Sequence, residues 1–194
     1  MAINRKKFFD GIKSGPFSGA LKASTVKGVT AVLDAWEASG LTDQRWLAYM
    51  LATVLAECGA NMLPVREGFK KTDAQARAYV KKRGYKYAKV VDGQVYYGRG
   101  LVQLTWQANY KAMGTILGID LAGKPDLALD PVTASNIMFE GMTRGTFTSK
   151  KLSNYFNKTK TDWKNARRII NKLDRADEIA TYAKQFHSDI VIAS

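Results

Sequence analysis

The chain has 194 residues, 46% hydrophobic and 24% charged, enough for one compact unit or two small lobes sharing a cleft. No apolar run approaches the roughly 18 to 20 residues needed to span a bilayer, and the stretch through Asp10 lacks the apolar core of a secretory leader, so a soluble product made in the cytoplasm is expected, without stable membrane insertion. One cysteine (Cys58) excludes an internal disulfide, one histidine (His187) leaves no zinc cluster, and no metal or cofactor is expected; the formal charge of +13 points to a polyanionic partner such as nucleic acid, an anionic membrane or an acidic wall.

In residues 1–24, Phe8, Phe9 and Phe17 alternate with Gly11, Gly15, Pro16 and Gly19, which reads as a short helix and an aromatic-packed loop. Thr25 suits an N-cap for a helix whose apolar positions Val29, Val32, Leu33 and Trp36 recur at helical spacing until Gly40. A second helix starts near Thr42 and is apolar on almost every face, the pattern of a central buried element. Gly59 ends it and leaves Glu57 in its last turn, where the helix dipole and apolar surroundings disfavour a negative charge. Residues 66–89 hold nine Lys or Arg against two acids, either a solvated basic face or the lip of an anion-binding cleft. Residues 90–97 predict a hairpin turning at Asp92-Gly93, which would deliver Tyr97 and Arg99. Beyond it, helices are expected from Tyr110 to Gly118, from Asp130-Pro131 to about Arg144, from Thr161 through Leu173, and from Asp177 onward.

Tyr96-Tyr-Gly-Arg-Gly-Leu-Val-Gln-Leu-Thr-Trp106 and the following Asn109-Tyr110 place two glycines among polar and aromatic groups. Glycines permit a tight turn or close approach, while Gln103, Thr105 and Asn109 offer partners for hydroxyl and acetamido groups. This motif resembles the signature of the family 19 chitinase-like glycoside hydrolases, in particular their short phage endolysins. Glu57, Glu67, Gly118-Ile-Asp-Leu, Pro125-Asp-Leu, Asp130-Pro131 and Arg168-Ile-Ile-Asn171 follow the family's order, so the resemblance spans about residues 40 to 185. Two departures stand out: Ala56 precedes Glu57 where the family commonly has His, and Lys172-Leu173 follow Asn171 where it has glycines.

The resemblance implies an α+β, mainly α-helical, lysozyme-like fold with a small β-hairpin beside a substrate cleft, formed by a single catalytic domain over residues 1–194 with two lobes and no separate wall-binding domain. Glycoside hydrolysis needs one carboxyl protonated to assist the leaving oxygen and one ionised, and an inverting enzyme sets them roughly 6.5 to 9.5 Å apart around a water. Glu57, after an apolar helix, suits the acid; Glu67, beside Arg66, Lys70 and Lys71, suits the base. Read alone, each would be an ordinary surface glutamate. Thr105 could hold the water with Glu67, and Tyr97, Arg99, Gln103, Asn109, Tyr110 and Asn171 are the expected substrate contacts. Tyr97 and Trp106 suit either sugar stacking or the core, the core being favoured for Trp106. Cys58 reads as a buried structural thiol.

The expectation is an endolysin-type hydrolase of the β-1,4 bonds of peptidoglycan glycan strands, acting as a monomer on an anionic cell envelope and reaching the periplasmic wall after holin-type release. A chitinase of the same family, or an impaired wall-binding virion protein, are the alternatives. Nucleic-acid binding has only the charge in its favour, with no recognition motif behind it.

Overall fold

The computed structural model describes residues 2–194 and is 61% helical, with one two-stranded antiparallel sheet. Helix α1 (Arg5–Ser14) starts at Asn4, whose side chain accepts from the Lys7 amide. Helix α2 (Ala23–Ser39) begins two residues before Thr25, so Thr25 is not its cap. Thr25 is buried instead and its hydroxyl donates to the Ala60 carbonyl at 2.6 Å. One turn on, Gly28 lets α2 meet the chain beyond α3, since a Cβ there would lie 2.1 Å from the Met62 carbonyl oxygen.

Helix α3 (Gln44–Cys58) is the central element. Asp43 caps it, ten of its fifteen residues are buried, and Gly59 ends it at φ 70°. It packs chiefly on α7 (Ala176–Ala193), while α6 (Pro131–Arg144) covers α2. As expected, α6 is capped by Asp130 with Pro131 at its first position, and α5 (Gln107–Leu117) stops at Gly118 in the left-handed region. No helix among the described residues is long and apolar enough to cross a membrane.

Two expectations fail for identifiable reasons. Asp92-Gly93 does turn, with φ 51° and 74°, but only Val91 and Gln94 bridge across it. The sheet forms elsewhere, between β1 (Val65–Arg66) and β2 (Arg99–Gly100), in the register Val65 to Gly100 and Arg66 to Arg99. Around 161–173 only a short 3₁₀ turn, Asn165–Ile169, replaces the helix. There the Thr148 hydroxyl sits 2.6 Å and 3.0 Å from the carbonyls of Arg168 and Ile169, and Arg167 is drawn into the protein. A second, smaller core of Ala76, Val80, Val95 and Tyr97 joins α4 (Asp73–Lys82) to the chain before β2.

Candidate active site

The two glutamates singled out from sequence flank β2. Cys58, next to Glu57, directs its thiol to the carbonyls of Gly100 and Leu101 at 3.6 and 3.7 Å. Burial first, then the charge of Glu57, pushes that thiol far up, so it is a packed structural group as expected. On the other side, the Glu67 amide donates to the Gly98 carbonyl at 2.8 Å, just beyond the β1–β2 pair.

Glu67 accepts at both carboxylate oxygens. The Tyr87 hydroxyl donates to Oε1 at 2.6 Å and the Gly98 amide to Oε2 at 2.8 Å. Burial, then the bond to and charge of Glu67, pushes the Tyr87 hydroxyl well above its ordinary range, so it stays a donor. Gly98 lets Gln103 and Glu67 come close: a Cβ there would lie 2.8 Å from Gln103 Oε1 and 3.3 Å from Glu67 Oε2, so both side chains would have to shift. The side-chain amide of Gln103 donates to the carbonyls of Val65 and Gly100 at 3.1 and 3.3 Å, so it also ties β1 to β2.

Glu57 has a different setting from the apolar one expected. The Arg167 guanidinium, itself 4% exposed, donates to Glu57 Oε1 at 2.7 Å and is braced by the Asp174 carbonyl. Arg175 stands nearby, bonded to the Ala56 carbonyl and to Glu178. The neighbour of Glu57 is thus a buried cation, and the purely apolar surroundings read from the sequence are corrected. The other carboxylate oxygen makes no hydrogen bond among the described residues.

Thr105 and Asn109 follow the motif as partly exposed groups, and the Asn109 amide donates to the Thr105 carbonyl at 2.8 Å. Three expected substrate contacts face inward. Tyr97 is fully buried with its hydroxyl on Asp73 at 2.7 Å; Tyr110 is fully buried with its hydroxyl on the Tyr97 carbonyl. Arg99, 1% exposed, ion-pairs with Asp73 and Asp126, and its guanidinium lies 3.6 Å from the Tyr97 ring centre. These three brace the loop rather than line a surface, because two carboxylates draw the guanidinium inside. Asn171 is exposed and lies against a cavity of about 310 Å³ with Thr148, Lys150, Arg168 and Lys172. Its side-chain oxygen accepts from the Lys172 amide, and no contact joins it to either glutamate.

Trp106 reverses the reading as core: it is 46% exposed with φ 72°, its ring edge-on to Tyr87 at 5.3 Å. Tyr85 packs on the far side of Tyr87 at 5.2 Å, so three aromatics form a row at Glu67. Tyr87 is absent from the site residues expected from sequence; its signal was its place beside Tyr85 within a basic run.

The fold resembles that of solved chitinases. Chitinase C from Streptomyces griseus HUT6037 superposes with a TM-score of 0.61 over 98% of this chain and 77% of that chain, at 20% identity. In sequence, the endochitinase At2g43620 of Arabidopsis thaliana is 32% identical over 123 residues, which is 62% of this chain and 40% of that protein. Chitinase 8 of Oryza sativa subsp. japonica is 66% identical over a 32-residue segment, 16% of this chain and 12% of that protein. The chain therefore spans two fifths or less of the length of these curated relatives. The chitinase class I family matches residues 56–155, a stretch that takes in both glutamates, Tyr87 and the whole glycine motif, and the chain belongs to that family, glycoside hydrolase family 19.

Proposed function

We propose that the protein hydrolyses β-1,4 bonds of an N-acetylated aminosugar polymer, with peptidoglycan glycan strands as its substrate, in the manner of a phage endolysin. The observation that carries this is the unequal setting of the two carboxyl groups. Glu67 accepts a hydrogen bond at each oxygen, so its carboxylate is held in a fixed orientation from which to act on a water. Glu57 is anchored through one oxygen by Arg167 and keeps the other unengaged. A proton on that oxygen can pass to the leaving glycosidic oxygen without breaking the anchor. Water activated by Glu67, with Thr105 as second holder, attacks the anomeric carbon from the opposite face and inverts it. Asn109 is partly exposed beside Thr105 and suits an acetamido or hydroxyl contact. Trp106 and Tyr87 add aromatic faces for a sugar ring.

The named relatives are chitinases, which makes chitin the rival substrate. The charge of +13 favours a wall polymer bearing carboxylates over a neutral one. A second reading, an impaired wall-binding protein, draws on Ala56 and on the capture of Glu57 by Arg167. Mass spectrometry of fragments from purified peptidoglycan and from chitin separates the three. Peptidoglycan fragments whose early products carry the inverted anomer by NMR are expected; cleavage of chitin alone makes the protein a chitinase, and binding without fragments makes it a wall-binding protein.

A further inference from the structure

Immediately after Glu67 the backbone reverses through two successive left-handed residues, Gly68 at φ 65° and Phe69 at φ 55°. Gly68 is required there, since a Cβ would meet the Tyr79 ring at 2.8 Å. Phe69 meets no such demand, and a bulky L residue adopts this conformation only under strain. The result of the bend is a Phe69 side chain 63% exposed, beside a cavity of about 690 Å³ between the bend and α4. Lys70, Lys71, Gln75, Tyr79 and Lys82 also line it. The Lys70 ammonium rests 5.1 Å from the Tyr79 ring centre, with Arg83 on the same ring at 5.3 Å. Lys70, Lys71 and Lys82 have no carboxylate partner among the described residues. Of the acids close to them in sequence, Glu67 is held by Tyr87 and Gly98, and Asp73 pairs with Arg77 and Arg99.

We propose that this groove is an extension of the Glu67 cleft that binds the carboxylate groups of an acidic N-acetylated glycan, Lys70, Lys71 and Lys82 holding the acids and Phe69 the apolar face of a sugar. The proposal rests on the glycosidase reading given above. Glycan is favoured over other polyanions because Phe69, which lines the groove, lies two residues from Glu67, with the intervening Gly68 packed close to the Tyr79 ring of the same groove. Unpaired ammonium groups beside an exposed aromatic select a chain that is both acidic and faced with C–H groups, and they leave a neutral chain unselected.

The test compares neutral glycol chitin with carboxymethyl chitin, for wild type, K70E/K71E/K82E, and a control reversal K7E/K13E/K184E on α1 and α7. At low salt the groove variant should raise KM for carboxymethyl chitin about tenfold, as three surface ion pairs of ordinary strength would, while the neutral KM stays within about twofold and any change in kcat is the same on both polymers. An equal effect from the control variant, no effect from the groove variant, or an equal rise on glycol chitin overturns the proposal. Groove-dependent binding of oligo-dT stronger than that of carboxymethyl chitin overturns it in favour of nucleic acid. If wild type cuts neither polymer, the hydrolase reading is judged on peptidoglycan as above, and fluorescence titration with carboxymethyl chitin oligomers judges the groove separately by the same tenfold criterion. K70Q/K71Q/K82Q serves the same comparison should the charge-reversed protein not fold.

Discussion

Replacing Arg99 with Met separates a structural role from a substrate contact at the centre of the glycine motif. The side chain is 1% exposed, and its Nη1 donates to the Val95 carbonyl at 3.0 Å and to the Tyr110 hydroxyl at 3.2 Å. Methionine fills much of the volume but leaves the Val95 carbonyl without that bond, at about 1 to 3 kcal/mol. The Tyr97 carbonyl loses a longer bond from the same Nη1, at 3.4 Å, but keeps the Tyr110 hydroxyl at 2.8 Å. Loss of the buried guanidinium from the Tyr97 ring, 3.6 Å away, costs about 2 kcal/mol. Asp73 and Asp126 are partly exposed and retain Arg77 and Arg66, so their release adds about 1 kcal/mol or less. The sum is about 3 to 6 kcal/mol, a large share of the roughly 5 to 15 kcal/mol that holds an ordinary domain together. In guanidinium chloride followed by far-UV circular dichroism, the midpoint should fall accordingly, and Tm should drop by about 6 to 24 °C. A loss below about 1 kcal/mol at unchanged m, together with a raised KM, would refute this accounting and return Arg99 to the substrate.

Glu57→Gln keeps the shape and the Arg167 contact but cannot donate a carboxyl proton, so turnover should fall about 100- to 10,000-fold with Tm nearly unchanged; more than a tenth of wild-type turnover removes Glu57 from the role. Tyr87→Phe deletes the hydroxyl that donates to Glu67 Oε1, a bond to a charged acceptor worth about 1.5 to 3 kcal/mol, and should lower kcat about 10- to 100-fold. A change confined to KM would assign Tyr87 to sugar stacking instead. Burial works to raise the Asp73 carboxyl, but bonds from Tyr97 and Arg77 and the charges of Arg77 and Arg99 outweigh it and hold the group low. A lowered carboxyl contributes stability above its unfolded-state value, about 3.9, and loses it as pH falls through the folded one. Tm should thus decline below about pH 4, and Asp73→Asn should flatten that decline; an identical acid limb in the variant rejects the assignment.

What could be read from the sequence followed from chain-local physics. The burial of α3, the stops at Gly40, Gly59 and Gly118, and the Asp130-Pro131 cap depend on residues within a few positions of one another. The turn at Asp92-Gly93 was legible for the same reason, because two left-handed residues are needed there whatever surrounds them. That Val65 and Arg66 become the sheet partners of Arg99 and Gly100 was not, since the pairing is fixed by chain more than thirty residues away.

The side chains of the motif show the boundary more sharply. A Tyr-Gly-Arg-Gly string beside polar residues reads as a binding surface, and for Gly98 and Glu67 the close approach it suggests is present. Whether Arg99 points out or in is decided by Asp73 and Asp126, 26 and 27 residues distant, because a guanidinium enters a core only where carboxylates meet it. One of these acids, Asp73, also fixes the Tyr97 hydroxyl, so a polar string became a brace and left the exposed aromatic work to Trp106 and Tyr87. Glu57 follows the same logic from the opposite end: its helix predicts an apolar setting, and Arg167, 110 residues on, supplies a cation there instead. The character of each carboxyl in this site is therefore set by donors distant in the chain, Tyr87 and Gly98 for Glu67 and Arg167 for Glu57, none of which the residues next to either glutamate announce.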